Sequence, residues 1–310
     1  MRILTDYNII NECHKGASVA VGNFDGVHLG HQSIIKNAGQ FSSNCPLGVL
    51  TFSPHPREFF KPESSAFRLM NDKSRNNRLK KLGVEILYQI TFDETMASLS
   101  AYNFAEKVIA KGLGAKNLVI GADFCFGKDR TGDANMLIEL GNDLGFNVEI
   151  ADTVSDDDKI LSSTSIRNLL SDGCTRDAAK MLGHWHRLDG LVITGDQRGR
   201  TLGYPTANIS LDRLHKPRLG IYSVLVDILS GPKCGSYTGV TSVGKKPMFG
   251  DNVINCETYI FDFQEDIYGE EISVALIDFI RPEENFSSVE ELILQMDLDC
   301  RKAKKSLSRR

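Results

Sequence analysis

No Cys-x-x-Cys pair occurs in this chain. Its seven cysteines, at 13, 45, 125, 174, 234, 256 and 300, are scattered and odd in number, a pattern that a reducing compartment permits and a disulfide framework does not. No apolar run approaches a membrane span, and the opening MRILTDYNIINECHKG has no apolar signal core, so a cytoplasmic protein with no membrane partner is expected. Charge of one sign is lacking too. Thirty-six Lys and Arg stand against 40 Asp and Glu, a net charge of −4, which removes the electrostatic case for a nucleic-acid partner. There is no internal repeat, no low-complexity linker and no G-x-G-x-x-G, so a Rossmann dinucleotide site is unsupported. GVTSVGKK (239–246) fits G-x-x-x-x-G-K, but Lys246 stands where a P-loop needs Ser or Thr and no helix follows; it reads as a strand and a turn. The terminal RKAKKSLSRR reads as a short, basic, solvated tail.

What is present is an ordinary globular composition, 41% apolar and 25% charged, over 310 residues. That length suggests two domains. The first half alternates strand-like segments, SVAVG, LGVLTF (47–52), EILYQI (85–90), NLVIG (117–121) and FNVEI (146–150), with helical patterns at 103–114 and 133–145. Such alternation predicts a parallel sheet with helices on both faces. Two short helical segments, TSIRNLLSDG and TRDAAKMLG, then end near Gly183. Beyond HWHRLDG come strands almost without helix: GLVITG, IYSVLVDIL, SYTGVTSVG, CETYIFDF and EISVALIDFI. They predict an antiparallel barrel or sandwich. A last helix spans about Ser288 to Lys305, capped by Ser287 or Ser288 with Glu290 or Glu291 in its first turn. The domain boundary is expected near Gly183–His184, giving domains 1–183 and 184–310.

Five stretches carry chemistry. In VAVGNFDGVHLGH (19–31), a strand breaks into a glycine-bounded turn, and His28 and His31 follow three residues apart at the start of a helix. Side chains at i and i+3 share a face, and helix N-termini attract anions, so the pair suits a phosphate gaining charge under attack. Zinc is the competing reading, and with no nearby Cys or third ligand it makes a poor closed site. LSSTSIRNLL (161–170) sets Ser162, Ser163 and Thr164 before a helix that carries Arg167. One hydroxyl suffices for a cap; the rest suit the β and γ phosphates of a nucleotide. GADFCFGKDRTGD (121–133) interleaves Phe124 and Phe126 beside Asp123, either core aromatics in a turn or the floor of a pocket for a planar ring. TGDQRGRTLGYPTANI (194–209) has Gly195, Gly199 and Gly203, which let backbone approach a ligand closely. Thr206 and Asn208, two apart in extended chain, turn their oxygens to one side, as ligands of a hydrated Mg2+ on nucleotide phosphates would. Glu257 shares an alternating strand face with Tyr259, Phe261 and Phe263, which makes it either a structurally paired carboxylate or a general base in a cleft.

These stretches, with TFSPHP, GIYSV, DIYGEEISV and RPEENFSSVEELILQMDLD, occur in the order found in the bifunctional bacterial riboflavin kinase/FAD synthetase family, which the chain resembles over nearly its whole length. The resemblance implies an α/β Rossmann-like nucleotidyltransferase domain, then an antiparallel six-stranded β-barrel flavokinase domain with a C-terminal helix. It implies phosphorylation of riboflavin by ATP to FMN and ADP, then adenylylation of FMN by ATP to FAD and pyrophosphate, with Mg2+ accompanying ATP. Glu257 matches the kinase's catalytic base, Thr206 and Asn208 its metal and nucleotide ligands, with Gly195, Gly199 and Gly203 in the same ATP-binding stretch. Arg281 resembles its flavin-side arginine. His28 and His31 match the catalytic phosphate-holding pair of the adenylyltransferase, with Gly22, Asn23 and Phe24 of the same turn in its ATP site. Ser163, Thr164 and Arg167 match a second phosphate clamp, and Asp123 and Phe124 a flavin-side wall. A flavin carrier without turnover would need neither Glu257 nor the histidines. The chain departs from the family at Cys125, usually Arg, at Pro247-Met248, usually Pro-Thr, near Ser242, where the family usually has an Asn, and at His186, usually Tyr. A monomer or weak homo-oligomer is expected.

Overall fold

The computed structural model describes residues 1–41, 45–63, 66–152, 155–156, 159–195, 199, 202–211, 213–245 and 254–308. Lys246, Pro247 and Met248, singled out above, lie outside them. The chain forms two compact units, Met1–Ser65 with Asp72–Leu161, and Ala66–Asn71 with Ser162–Arg310.

In the first unit β1 (Arg2–Leu4), β2 (Ser18–Val21), β3 (Leu47–Ser53), β4 (Ile86–Thr91), β5 (Asn117–Gly121) and β6 (Asn147–Ala151) make one sheet. Its order is β1-β4-β3-β2-β5-β6, and every pairing is parallel. All four residues of β2 are buried, as expected for a central strand covered on both faces. The connecting helices are α1 (Leu29–Gln40), α2 (Pro56–Phe60), α3 (Asp72–Lys81), α4 (Glu94–Ala97), α5 (Ala101–Asn103) and α6 (Ala134–Leu144). Asp133 caps α6 through Met136 N–H at 2.8 Å. The helical pattern at 103–114 winds instead as a π-helix, Phe104–Leu113, whose wide turn keeps Phe104, Val108, Ile109 and Leu113 on the buried side. From β2 the chain steps through β3 and β4 to one side, then returns to β5 on the other. The crevice outside the carboxyl ends of β2 and β5 is therefore the switch point, where open parallel sheets bind ligands. A two-strand hairpin, β7 (Ser155–Asp156) and β8 (Lys159–Ile160), precedes Leu161.

The second unit holds α7 (Ser163–Ser171), α8 (Thr175–Leu182), six strands and a C-terminal helix. The strands are β9 (Arg187–Leu191), β10 (Thr206–Ser210), β11 (Gly220–Ile228), β12 (Gly235–Lys245), β13 (Ile254–Ile260) and β14 (Glu271–Arg281). They run antiparallel in the order β10-β13-β12-β11-β14-β9. An antiparallel bridge from Ile193 to Asn208 brings the two edges together, so the sheet is a nearly closed barrel. Period-two burial fills it: Tyr222, Val224, Val226 and Ile228 of β11 face Ile272, Val274 and Leu276 of β14 in one core. Ala275 and Ile277 are buried as well. Helices cover the outer face of β14, where Thr175 of α8 donates to Ile277 O at 2.6 Å, and ISVALI therefore reads as a continuous apolar run.

α9 (Val289–Leu307) is capped by Ser288, whose hydroxyl accepts from Glu291 N–H at 3.2 Å. The expected solvated tail is a correction to make here, because residues through Leu307 are helical. Ala303 is fully buried, and Ser306 bonds Ser223 and Asp278. Ala66–Asn71 also belongs to this unit: Arg68 pairs with Leu214, and Asn71 Nδ2 donates to Asp189 O at 3.3 Å.

His186 is 3% exposed and its Nε2 donates to Leu69 O at 3.1 Å. Burial pushes its imidazole down to about 3 from 6.5. A histidine held neutral in the folded state contributes fully above the unfolded value, and its contribution is lost as pH falls from about 6.5 towards the folded value. Stability should therefore drop on acidification by about 1.4 kcal/mol per pH unit for each such histidine. Urea midpoints at about pH 7.5 and about pH 5 measure this. His186→Asn should flatten the slope; an unchanged slope would place the acid lability elsewhere.

Candidate active sites

In the first unit the turn after β2 occupies the switch point. Phe24 and Val27 adopt φ of 52° and 43°, left-handed values costly for bulky residues and held by their complete burial. A side chain at Gly22 would meet the Phe24 ring at 3.4 Å. Asn23 is exposed, and its carbonyl accepts from Thr51 Oγ1 at 3.2 Å. His28 is the N-cap of α1, and its Nδ1 accepts from His31 N–H at 3.3 Å. The His28 and His31 rings stack at 3.7 Å, and Phe24 packs on His31 at 5.2 Å. A side chain at Gly30 would crowd His28 at 3.1 Å, so glycine there leaves room for the ring.

Burial pushes His28 down to about 4, against the opposing pull of Asp123. His31 is pushed well down by burial and then by His28. Both are neutral near pH 7. With Nδ1 of His28 accepting, its proton sits on Nε2, an available donor. His31 Nδ1 is buried without a hydrogen-bond partner. Asp123, in the loop after β5, is exposed. Phe124 stacks on buried Phe126 at 5.6 Å, so the pair is half core and half wall. Cys125 between them is exposed.

Ser163, Thr164 and Arg167 belong to the second unit. Ser162 takes the cap, its hydroxyl accepting from Ser165 N–H at 3.1 Å, which leaves Ser163 and Thr164 uncommitted to capping. Arg167 donates to Thr164 Oγ1 at 3.1 Å and lies 5.6 Å from the centroid of the Phe67 ring.

Strand register builds the other constellation. Asn208 of β10 lies directly opposite Glu257 of β13, and Thr206 opposite Tyr259. Ser242 of β12 faces Glu257 from the other side. Directly opposed residues point the same way, so Ser242, Glu257 and Asn208 form one row across three strands. Glu257 is half-buried and Asn208 is buried. The Asn208 amide donates weakly to Thr206 Oγ1 at 3.4 Å. A cleft is lined by Gly195, Pro205, Thr206, Asn208, Thr258 and Tyr268; of the row only Asn208 reaches it, and Glu257 is not part of its lining. Gly195 has no room for a side chain: its Cβ would stand 2.6 Å from the Asn208 amide nitrogen. Gly199 is closed off by Tyr204 O at 2.3 Å, and Gly203 turns the chain at φ 87°. Among the described residues no group of three His, Cys, Asp or Glu could hold a metal; Thr206 and Asn208 offer neutral oxygens instead.

The aromatic face expected around Glu257 is shorter than its alternation suggests. β13 ends at Ile260, and Asp262 takes φ 54°, which breaks the period. Phe263 leaves that face to pack on Tyr237 at the barrel core, while Phe261 stays edge-on to Tyr259. Arg281 gives its guanidinium to Asp299, with Nη2 to Oδ2 at 2.7 Å. The sequence singles out Ser242 only as a departure from the family; its place in this row, and the Asp299 counter-ion of Arg281, depend on strand and helix pairings.

A family model described as FAD synthetase matches residues 10–165, and one described as riboflavin kinase matches residues 182–307. A bifunctional riboflavin kinase/FMN adenylyltransferase of Haemophilus influenzae is 36% identical over 306 residues, covering 98% of both chains. The protein so named from Escherichia coli K12 is 34% identical over 295 residues, 94% of this chain and 93% of that one. A crystal structure described as a macrolide-efflux protein from Streptococcus pneumoniae matches with TM-score 0.83 and 36% identity over 96% of each chain. Among the described residues here, no helix is long and apolar enough to cross a membrane. The two domain matches define a transferase that joins a nucleotidyltransferase to a kinase. The chain belongs to the family of bifunctional riboflavin kinase/FMN adenylyltransferases.

A methyl group at Gly195 must displace the Asn208 amide. Gly195→Ala is expected to slow riboflavin phosphorylation and spare conversion of supplied FMN to FAD, with overpacking costing about 1–3 kcal/mol at most. Assaying both reactions on one preparation checks it; unimpaired phosphorylation would mean Asn208 can move freely.

Proposed function

We propose the residue roles by which this chain, a riboflavin kinase and FMN adenylyltransferase in one, makes FMN and then FAD. The observation that carries the kinase half is the pairing of Asn208 with Glu257, which sets a carboxylate beside the carboxamide that, with Thr206, lines a cleft. Thr206 and Asn208 hold the phosphates of ATP with its Mg2+. Their neutral oxygens suit that hard, partly hydrated ion, and the buried Asn208 amide next to Thr206 Oγ1 supports the fit. Gly195, Gly199 and Gly203 shape the backbone around this nucleotide. The 5′-hydroxyl oxygen of riboflavin bonds to the γ-phosphorus as the bond to the bridging oxygen breaks. Glu257 takes the hydroxyl proton, and ADP leaves. Arg281 stands on the flavin side, oriented by Asp299.

The adenylyltransferase half needs no base, because FMN's phosphate arrives as an anionic nucleophile. Its oxygen bonds to the α-phosphorus of a second ATP, the bond to the β-phosphate oxygen breaks, and pyrophosphate leaves. Neutral His28 and His31 donate to the phosphate that gains charge, and the incoming negative charge favours their protonation. Gly22, Asn23 and Phe24 complete the turn, with Phe24 acting as the buried support of His31. Ser163, Thr164 and Arg167 keep the phosphate-binding role that the family motif implies; Asp123 and Phe124 form the flavin wall. We assign residues 1–183 to adenylylation and 184–310 to phosphorylation, in a cytoplasmic monomer or weak homo-oligomer without nucleic-acid or membrane partners.

Two variants separate the halves. Glu257→Gln keeps the side chain's shape but accepts no proton; kinase turnover should fall by roughly 10²–10⁴, less if the transition state is loose, while supplied FMN still becomes FAD. Normal FMN production would make Glu257 a structural carboxylate. His31→Ala should do the reverse, cutting FAD formation on the order of 10²–10³ and leaving riboflavin phosphorylation intact. Loss of both reactions together would refute the assignment of that turn to one half.

A further inference from the structure

In the second unit three rings run in a row. Tyr204 meets Tyr259 edge-on at 5.2 Å, and Tyr259 meets Phe261 at 5.9 Å. One face of α9 lies along them. Asp297 Oδ1 accepts from the Tyr204 hydroxyl at 2.6 Å. Cys300 stands beside Tyr204 and Tyr259, and Lys304 Nζ is 4.9 Å from the Phe261 centroid. Positions 297, 300 and 304 share a helical face.

Both ends of the Tyr204–Asp297 bond are fixed. Tyr204 N–H donates to Gly199 O at 2.8 Å, and the chain then passes through Pro205 directly into Thr206, the first residue of β10. On the helix, Asp299 is 3% exposed and takes Arg281 on both oxygens, while Gln295 Nε2 donates to its Oδ1 at 2.9 Å. Asp297 is thus presented from a helical turn anchored to β14. The ring of Tyr204 rests on Tyr259, which is the cross-strand partner of Thr206. A hydroxyl–carboxylate bond this exposed contributes little to global stability. What it does is remove a degree of freedom from the segment that delivers Thr206 and Asn208, and preorganisation of this kind is read in substrate affinity.

We propose that Tyr204 and Asp297 are a positioning pair for the kinase: the C-terminal helix holds the tyrosine, and the tyrosine holds the entry to β10, so that Thr206 and Asn208 meet the metal nucleotide in one geometry. Neither residue touches the nucleotide. The inference rests on Thr206 and Asn208 being the nucleotide's ligands.

The test uses the full chain, steady-state phosphorylation of riboflavin with ATP varied, and FMN adenylylation as an internal control. Tyr204→Phe keeps the ring and loses only the hydroxyl. It should raise the apparent KM for ATP about 3- to 10-fold, the effect of losing one ordinary exposed hydrogen bond, with kcat, adenylylation and Tm nearly unchanged. Asp297→Ala should match it, and the double variant should be no worse than either single one, because one bond is lost in all three. Asp297→Asn, still an acceptor, should recover much of the affinity. Asn208→Ala separates this proposal from the reading beneath it. If Asn208→Ala leaves the KM for ATP unmoved, the ligand assignment fails. If it raises KM while Tyr204→Phe does not, the positioning pair alone is overturned. Multiplying effects in the double variant, or a fall in Tm with both activities lost together, would also overturn it.

Discussion

The register of β10 against β13, with Asn208 opposite Glu257, is the constraint that orders the outer row of the barrel. Side chains alternate along a strand, so a slip of one residue would exchange the whole outer row for the inner one. What prevents the slip is volume inside the barrel. Ala207 and Ile209 of β10 and Cys256 and Ile260 of β13 belong to one buried core, and the inner hydroxyls bond one another, Thr241 to Thr258 at 2.9 Å. Apolar burial at about 25 cal/mol per Å² thereby holds polar groups on the opposite face of the same strands.

At the other end the constraint is a turn rather than a ladder. Parallel strands deliver two loops to the switch point, one carrying His28 and His31 and one carrying Asp123. Burial strips the imidazoles of charge in the free protein, and the cap hydrogen bond of His28 orients its ring. The two sites answer different chemical needs. A hydroxyl nucleophile must lose a proton, and in the proposed roles Glu257 takes it beside Thr206 and Asn208; a phosphate nucleophile has none to lose, and donors would suffice.

The C-terminal helix links parts of the second unit that are remote in sequence. At its middle it receives Tyr204 and Arg281. Near its end Ser306 joins Ser223 and Asp278, and Asp278 takes Arg176 of α8 at 2.5 Å and 2.8 Å. α8 and α9 are thus tied to β14 through one carboxylate, and the outer face of that strand is dry enough to look like core.

Much of this was legible beforehand. Five parallel strands, the helical segments at 133–145, TSIRNLLSDG and TRDAAKMLG, the change to strands after HWHRLDG and a serine cap at 287 or 288 all follow from local rules: period, Gly turns, and hydroxyls ahead of apolar runs. β1 was missed because three residues carry no period. The pattern at 103–114 reads only as helical, because apolar spacing barely distinguishes a π-helix from an α-helix. The basic C-terminal run was read as a tail because its charges mask the buried Ala303 and the Ser306 contacts. Phe263 was given to the Glu257 face because nothing in the sequence announces the left-handed Asp262. The sequence by itself determined which residue types stand in which order, and so the two reactions and the turns that serve them. Only the tertiary structure decided that Ser242 and Asn208 flank Glu257, that Asp299 claims Arg281, and that Asp297 reaches a tyrosine 93 residues away. Those are strand registers and packing contacts between distant segments, and no local propensity encodes them.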